Sequence, residues 1–142
     1  MNEKRIFKFK VSLYKDIYRE IAVSEDSSLH KFAEIILKAF KFDMDHPFGF
    51  YDNLKNPYKS SEKYELFFDE GSEYSDGAKG VSTTLIRNAF VLNKKMIFLF
   101  DYGDDWHFLV KCTGISAPET KIKYPKVLNI IGKPPRQYEL YE

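Results

Sequence analysis

A chain of 142 residues with 44% hydrophobic residues, 13 Phe and 10 Tyr can fill one core without staples. Its net charge of +1 declares no partner, and its single cysteine, Cys112, excludes an internal disulfide and a cysteine-based metal cluster. No apolar run approaches the ~20 residues of a membrane span, and MNEKRIFKFK lacks a signal-peptide core, so no membrane partner and a cytoplasmic location are expected.

Charge is unevenly distributed. Residues 1–23 and residues 111–142 each carry +3, whereas 24–110 carries −5. Were the two ends to pair in space, they would form a mild basic patch on an otherwise mixed surface.

Ile6–Tyr14 reads as a strand, with Phe7, Phe9, Val11 and Leu13 on one face and Lys8, Lys10 and Ser12 on the other. Lys15-Asp16 turns the chain into a second, antiparallel strand, Ile17–Val23. Arg19 there shares a face with Ile17, Ile21 and Val23. Such an arginine snorkels, finds a carboxylate, or is rotated outward by a bulge. Leu29, Phe32, Ala33, Ile36, Leu37 and Phe40 then repeat at helical spacing, which predicts the main helix over 29–40, capped by Ser28 or Ser27. His30, Glu34 and Lys38 fall on its outward stripe.

Lys41–Pro47 is a loop in which Pro47 forces His46 into an extended conformation. Phe48–Asp52 is a short strand, Asn53–Ser61 is turn-rich and Tyr64–Phe68 is another apolar run. Asp69–Gly80 is a long hydrophilic loop, and Ser82–Phe90 reads as a shorter second helix through Leu85, Ile86 and Ala89. Tyr124–Ile131 supplies an edge strand before Lys133-Pro134-Pro135 stops regular structure. With no repeat and no internal boundary, residues 1–142 form a single domain. Its expected architecture is two-layer α+β, mostly antiparallel sheet with helices at 29–40 and 82–90.

The chain is organised around Met96–Cys112. Met96, Phe98, Phe100 and Tyr102 alternate before Asp101–Asp105, and Trp106, Phe108, Val110 and Cys112 alternate after it. Alternation on both sides of a Gly/Asp cluster predicts a β-hairpin in which Gly103 supplies positive φ and the aspartates bond their own backbone. Asp101 falls on the Ile97/Leu99 side and His107 on the Leu109/Lys111 side. Three carboxylates and the only tryptophan thus share one tip. Clustered carboxylates offer oxygen ligands to Mg²⁺ or Ca²⁺, or a general base; turn chemistry alone also accounts for them.

Other chemistry is poorly represented. His30, His46 and His107 lack HxH or HExxH spacing. Asp69–Gly77 fails as a calcium loop because Tyr74 occupies the position where the turn demands glycine. GxSxG, GxGxxG and GxxxxGK are absent, and Cys112 has no neighbour that would activate it. Tyr14, Tyr18, Tyr124, Tyr138 and Tyr141 lie near basic residues and could stack on bases.

Phe100–Phe108, FDYGDDWHF, resembles the YDFGDxW signature of the family named for the third open reading frame of a plant-rooting (Ri) plasmid. Ile17–Ile21 is similar to the family's IWRRI. Leu29–Phe32, continuing to Ala39-Phe40 and His46, is similar to its LHxL…H helix; Tyr124–Leu128 through Gly132 and Pro134-Pro135 is similar to its closing YPxxL…G…PP segment. Tyr18 and Phe42 stand where tryptophans are usual. His107 is one register step from the family's W-x-H histidine, and Arg136-Gln137 replaces an acidic pair. The resemblance implies an α+β domain of uncharacterised activity, associated with mobile elements and sometimes labelled resolvase-like. The four widely spread arginines do not fit recombinase chemistry.

The expected function is therefore a non-enzymatic binding module with no cofactor and no assigned catalytic or metal-ligating residue. Its candidate site is Asp101, Gly103, Asp104, Asp105 and Trp106, with Arg19, His30 and His46 as neighbours and Trp106 as an anchor when it is not core packing. The alternatives are a nucleic-acid-associated protein binding through its basic ends and a metal-dependent hydrolase using the Asp cluster.

Overall fold

The structure, a computed structural model, describes residues 4–71 and 77–138. The strands in chain order are β1 (Ile6–Ser12), β2 (Tyr18–Ser24), β3 (Phe48–Tyr51), β4 (Lys63–Glu65), β5 (Lys79–Gly80), β6 (Lys95–Phe100), β7 (Trp106–Ser116) and β8 (Lys126–Ile131). Between them run helices α1 (Leu29–Ala39), α2 (Leu66–Asp69) and α3 (Ile86–Ala89). The strands form one sheet in the order β5-β4-β3-β6-β7-β1-β2-β8, antiparallel throughout except for the β4–β5 pair. The fold is α+β.

Two-residue periodicity gives the sheet one apolar face, and α1 covers it. Phe7, Phe9 and Val11 of β1 join Ile21 and Val23 of β2, Phe98 and Phe100 of β6, and Phe108, Val110 and Cys112 of β7 in one buried cluster. Leu29, Phe32, Ala33, Ile36 and Leu37 of α1 complete it. The aromatic rings interlock, Phe9 on Phe32 at 4.5 Å and Phe40 edge-on to Phe108 at 4.9 Å. Ser28 caps the helix by accepting from the Lys31 amide at 3.0 Å. The central hairpin forms as expected, with Phe100 opposite Trp106.

Several details differ from the sequence reading. The expected helix over 82–90 is a single turn, Ile86–Ala89, because Ser28 bridges Leu85 and holds the preceding segment extended. The Tyr64–Phe68 run splits into β4 and the first residues of α2. Of the long loop, Lys79-Gly80 pairs in parallel with β4; Tyr74 lies outside the described residues, as does Tyr141. Arg19 neither snorkels nor meets a carboxylate, and no bulge turns it out. It is 1% exposed. Its Nε donates to the Ala39 carbonyl at 2.9 Å, its Nη1 donates to the Tyr18 and Ile131 carbonyls, each at 2.9 Å, and its guanidinium lies over the Phe40 ring.

The hairpin turn is also built differently. Gly103 does not have positive φ; Asp101 (φ 64°) and Asp105 (φ 59°) do. A left-handed residue at 101 breaks the strand alternation at its very end. Tyr102 consequently packs with Tyr51, Ile97, Leu99 and Leu109 on the sheet face away from α1, not with Phe98 and Phe100. The Asp101 carboxylate leaves the Ile97/Leu99 side and turns toward His46, whose ring meets Phe100 edge-on. Glycine at 103 serves close approach: a Cβ there would lie 3.3 Å from Asp101 Oδ1.

Candidate functional site at the hairpin pole

Asp101 is the pivot of the tip. It is 5% exposed. Its amide donates to the Pro47 carbonyl at 2.9 Å, tying the hairpin to the loop after α1. Its Oδ1 accepts from the amides of Gly103 at 3.1 Å and Asp104 at 3.2 Å, an Asx-type turn. Its Oδ2 lies 3.6 Å from Nδ1 of His46.

His46 is held by that loop and by the C-terminal segment. Its Nδ1 is 2.8 Å from Asp45 Oδ1 and 3.0 Å from the Tyr138 hydroxyl. Tyr138 donates to Asp45 Oδ2 at 2.6 Å. Gln137 accepts from the Asp43 amide at 2.6 Å and donates to the Asp43 carbonyl and to Asp45 Oδ1, each at 3.0 Å. Residues 43–47, the hairpin tip and residues 137–138 thus form one continuous polar pole.

Its electrostatics follow from these bonds. The hydrogen bond to Asp45 raises the His46 pKa above its ordinary value; partial desolvation opposes this, and the charges of Asp101, Asp45 and Asp104 add to it. Desolvation works against ionisation of Asp45, yet hydrogen bonds from Tyr138 and His46 hold its carboxyl below the usual range. Bonding to Asp45 pushes the Tyr138 hydroxyl up to about 12. The pole is thus an imidazole set among carboxylates that favour its protonated form. Asp45→Asn is expected to bring the His46 pKa down toward 6.5, read from the pH dependence of its ring-proton NMR shifts. An unmoved titration would show that Asp45 does not set it.

Asp105 has partners of its own. Its Oδ1 accepts from the Tyr58 hydroxyl at 3.2 Å and lies 3.0 Å from His107 Nε2. Beneath it, the Tyr51 hydroxyl donates to Glu65 and is 2.6 Å from that of Tyr102. Burial pushes the Tyr51 and Tyr102 pKa values far above the tyrosine range, so both remain neutral. Trp106 packs edge-on against Phe42 at 5.0 Å and borders the core; its Nε1 is buried without a hydrogen-bond partner.

The expected site is therefore partly assembled. Asp101, Gly103, Asp104, Asp105, Trp106 and His46 share the pole. His30 instead pairs with Glu34 at 3.2 Å and packs edge-on against Phe48. Arg19 is spent on carbonyls inside the fold. Asp43, Asp45, Tyr58, Gln137 and Tyr138 were missed as site residues. Asp45 could have been read from its place beside the constrained His46-Pro47; Gln137 and Tyr138 had no local signal. Among the described residues, no group of three or more His, Cys, Asp or Glu is arranged to hold a metal ion, and no helix is long and apolar enough to cross a membrane.

Comparison with known families settles the kinship. The plasmid pRiA4b ORF-3-like family matches residues 5–137. The chain belongs to that family. Among solved structures, this family member is similar to a protein of unknown function from Methanosarcina mazei Go1. The two share 19% identity and a TM-score of 0.74 over 91% of this chain and 71% of that one. At that identity the likeness is one of fold. No curated protein matches the chain.

Proposed function

We propose that this family member is a non-enzymatic binding module whose pole, Asp43–Pro47 with Asp101–Trp106, receives a cationic partner such as a lysine- or arginine-rich peptide segment. One observation carries the reading. Asp43, Asp45, Asp101, Asp104 and Asp105 gather on two adjoining loops, and among the described residues no lysine or arginine pairs with any of them; Asp45 and Asp101 face the His46 ring and Asp105 the His107 ring instead. Carboxylates on a surface usually find lysine or arginine neighbours, and a group left without them attracts positive charge from outside.

The test uses labelled octalysine and octaglutamate peptides as probes, with fluorescence anisotropy for affinity and NMR for location. Octalysine is expected to bind, to weaken as salt rises, and to shift the amides of 101–106 together with the single indole N–H resonance. Asp104→Asn with Asp105→Asn should cost on the order of 0.5–2 kcal/mol of that binding. Equal binding of octaglutamate, or an unchanged affinity in the double variant, would remove the proposal.

A further inference from the structure

The sheet face opposite α1 holds a second charged feature, and strand register creates it. Lys95 on β6 lies directly opposite Lys111 on β7, and Lys111 lies directly opposite Lys10 on β1. All three alternate with core residues (Met96, Val110, Phe9 and Val11), so they share the face that α1 does not cover. Lys8 follows on β1, opposite Gly114, where no side chain competes for space. Glu20, opposite Lys10 on β2, is the acidic residue in register with the row.

Like charges directly opposite one another destabilise a sheet, so an ordinary solvated surface alternates them. Here three lysines stand abreast across three adjacent strands. None of Lys8, Lys10, Lys95 and Lys111 forms an ion pair among the described residues. The Lys10 ammonium rests instead 4.3 Å from the centre of the Tyr18 ring. Neighbouring strands lie about 4.8 Å apart, so the row spans about 10 Å, a length matched to consecutive charges along a polymer. The basic ends of the chain do meet in space, through β1 on β7 and β2 on β8, and mid-chain Lys95 extends the patch that they make.

We propose that this open face binds single-stranded nucleic acid, with Lys8, Lys10, Lys95 and Lys111 on the phosphates and Tyr18 as a stacking surface for a base. Charge complementarity selects a polyanion. The aromatic ring among the lysines selects one with unpaired bases, since a duplex hides its base faces. Tyr14, 65% exposed in the β1–β2 turn, stands at the end of the same strand pair.

The experiment is anisotropy of a labelled thirty-nucleotide oligothymidylate titrated with the full chain at several NaCl concentrations. Four neutralised phosphates give a slope of log affinity against log salt of about −2.8, so binding weakens about 50-fold between 50 and 200 mM. Lys10→Gln with Lys111→Gln is expected to halve that slope, and Lys95→Gln alone to lower it by about a quarter. Lys31→Gln with Lys38→Gln, on α1, should leave it unchanged. Thermal melting is a check on folding; relief of repulsion should leave the row variants at least as stable as the parent. Absence of saturable binding at 50 mM, an unchanged slope in the row variants, an equal loss in the α1 variant, or tighter binding of the matching duplex would each overturn the proposal.

Discussion

Replacing Arg19 by leucine is expected to lower the free energy of unfolding by about 2–4 kcal/mol, seen as a fall in urea midpoint at constant slope. Two effects compete. Leucine removes the cost of burying a guanidinium, and exchanging a buried ion pair for apolar residues is often neutral. That exchange works when both partners are replaced. Here the partners are the main-chain carbonyls of Tyr18, Ala39 and Ile131, which no substitution removes. Leucine leaves these part-buried carbonyls without the guanidinium's donors, so the loss side wins. Those carbonyls belong to β2, to the last residue of α1 and to the last residue of β8, so one side chain ties three elements together. Arginine at Ala39 also meets the negative end of the helix. Lysine, a single donor centre on a flexible stem, cannot reproduce the fork and should cost about 1–2 kcal/mol. A leucine variant within 0.5 kcal/mol of the parent would mean that the three bonds contribute nothing net.

Arg19 also marks where sequence reading ran out. Its face was legible from Ile17, Ile21 and Val23, since period-two alternation is a local property of the chain. Its partners were not, because Ala39 and Ile131 are 20 and 112 residues away and offer carbonyls that every residue has. The same division holds elsewhere. The helix at Leu29 and the strands at Ile6, Met96 and Trp106 announce themselves by apolar periodicity. The expected helix over 82–90 is shortened to Ile86–Ala89 because Leu85 is held extended by its bridge to Ser28, a contact between distant segments. At the pole, the hairpin and its aspartates could be read; Gln137 and Tyr138 could not, since nothing near them indicates that the chain end returns to Asp43–His46. The lysine row lay in plain view as Lys8, Lys10, Lys95 and Lys111, but only register sets three of them abreast.

Asp101 allows turn chemistry and site chemistry to be separated by experiment. Asp101→Ala is expected to destabilise the fold by about 2–3 kcal/mol. Two side-chain bonds to the Gly103 and Asp104 amides contribute about 1 kcal/mol each, and alanine tolerates φ 64° less well than aspartate does. Asp101→Asn keeps an acceptor oxygen and the same conformational tolerance, so its cost should stay below about 1 kcal/mol. The charge effect is read at His46, whose pKa is raised first by Asp45 and further by Asp101. A histidine with a raised folded pKa contributes stability that is fully present below its unfolded value near 6.5 and is lost as pH rises through the folded value. In Asp101→Asn the folded value falls toward 6.5, so that window narrows and the stability lost between slightly acidic and alkaline pH shrinks. If the alanine and asparagine variants were equally unstable, the carboxylate charge rather than its turn bonds would be what holds the tip. If neither moved the His46 titration, Asp101 would belong to the turn alone and the acidic pole would lose its buried member.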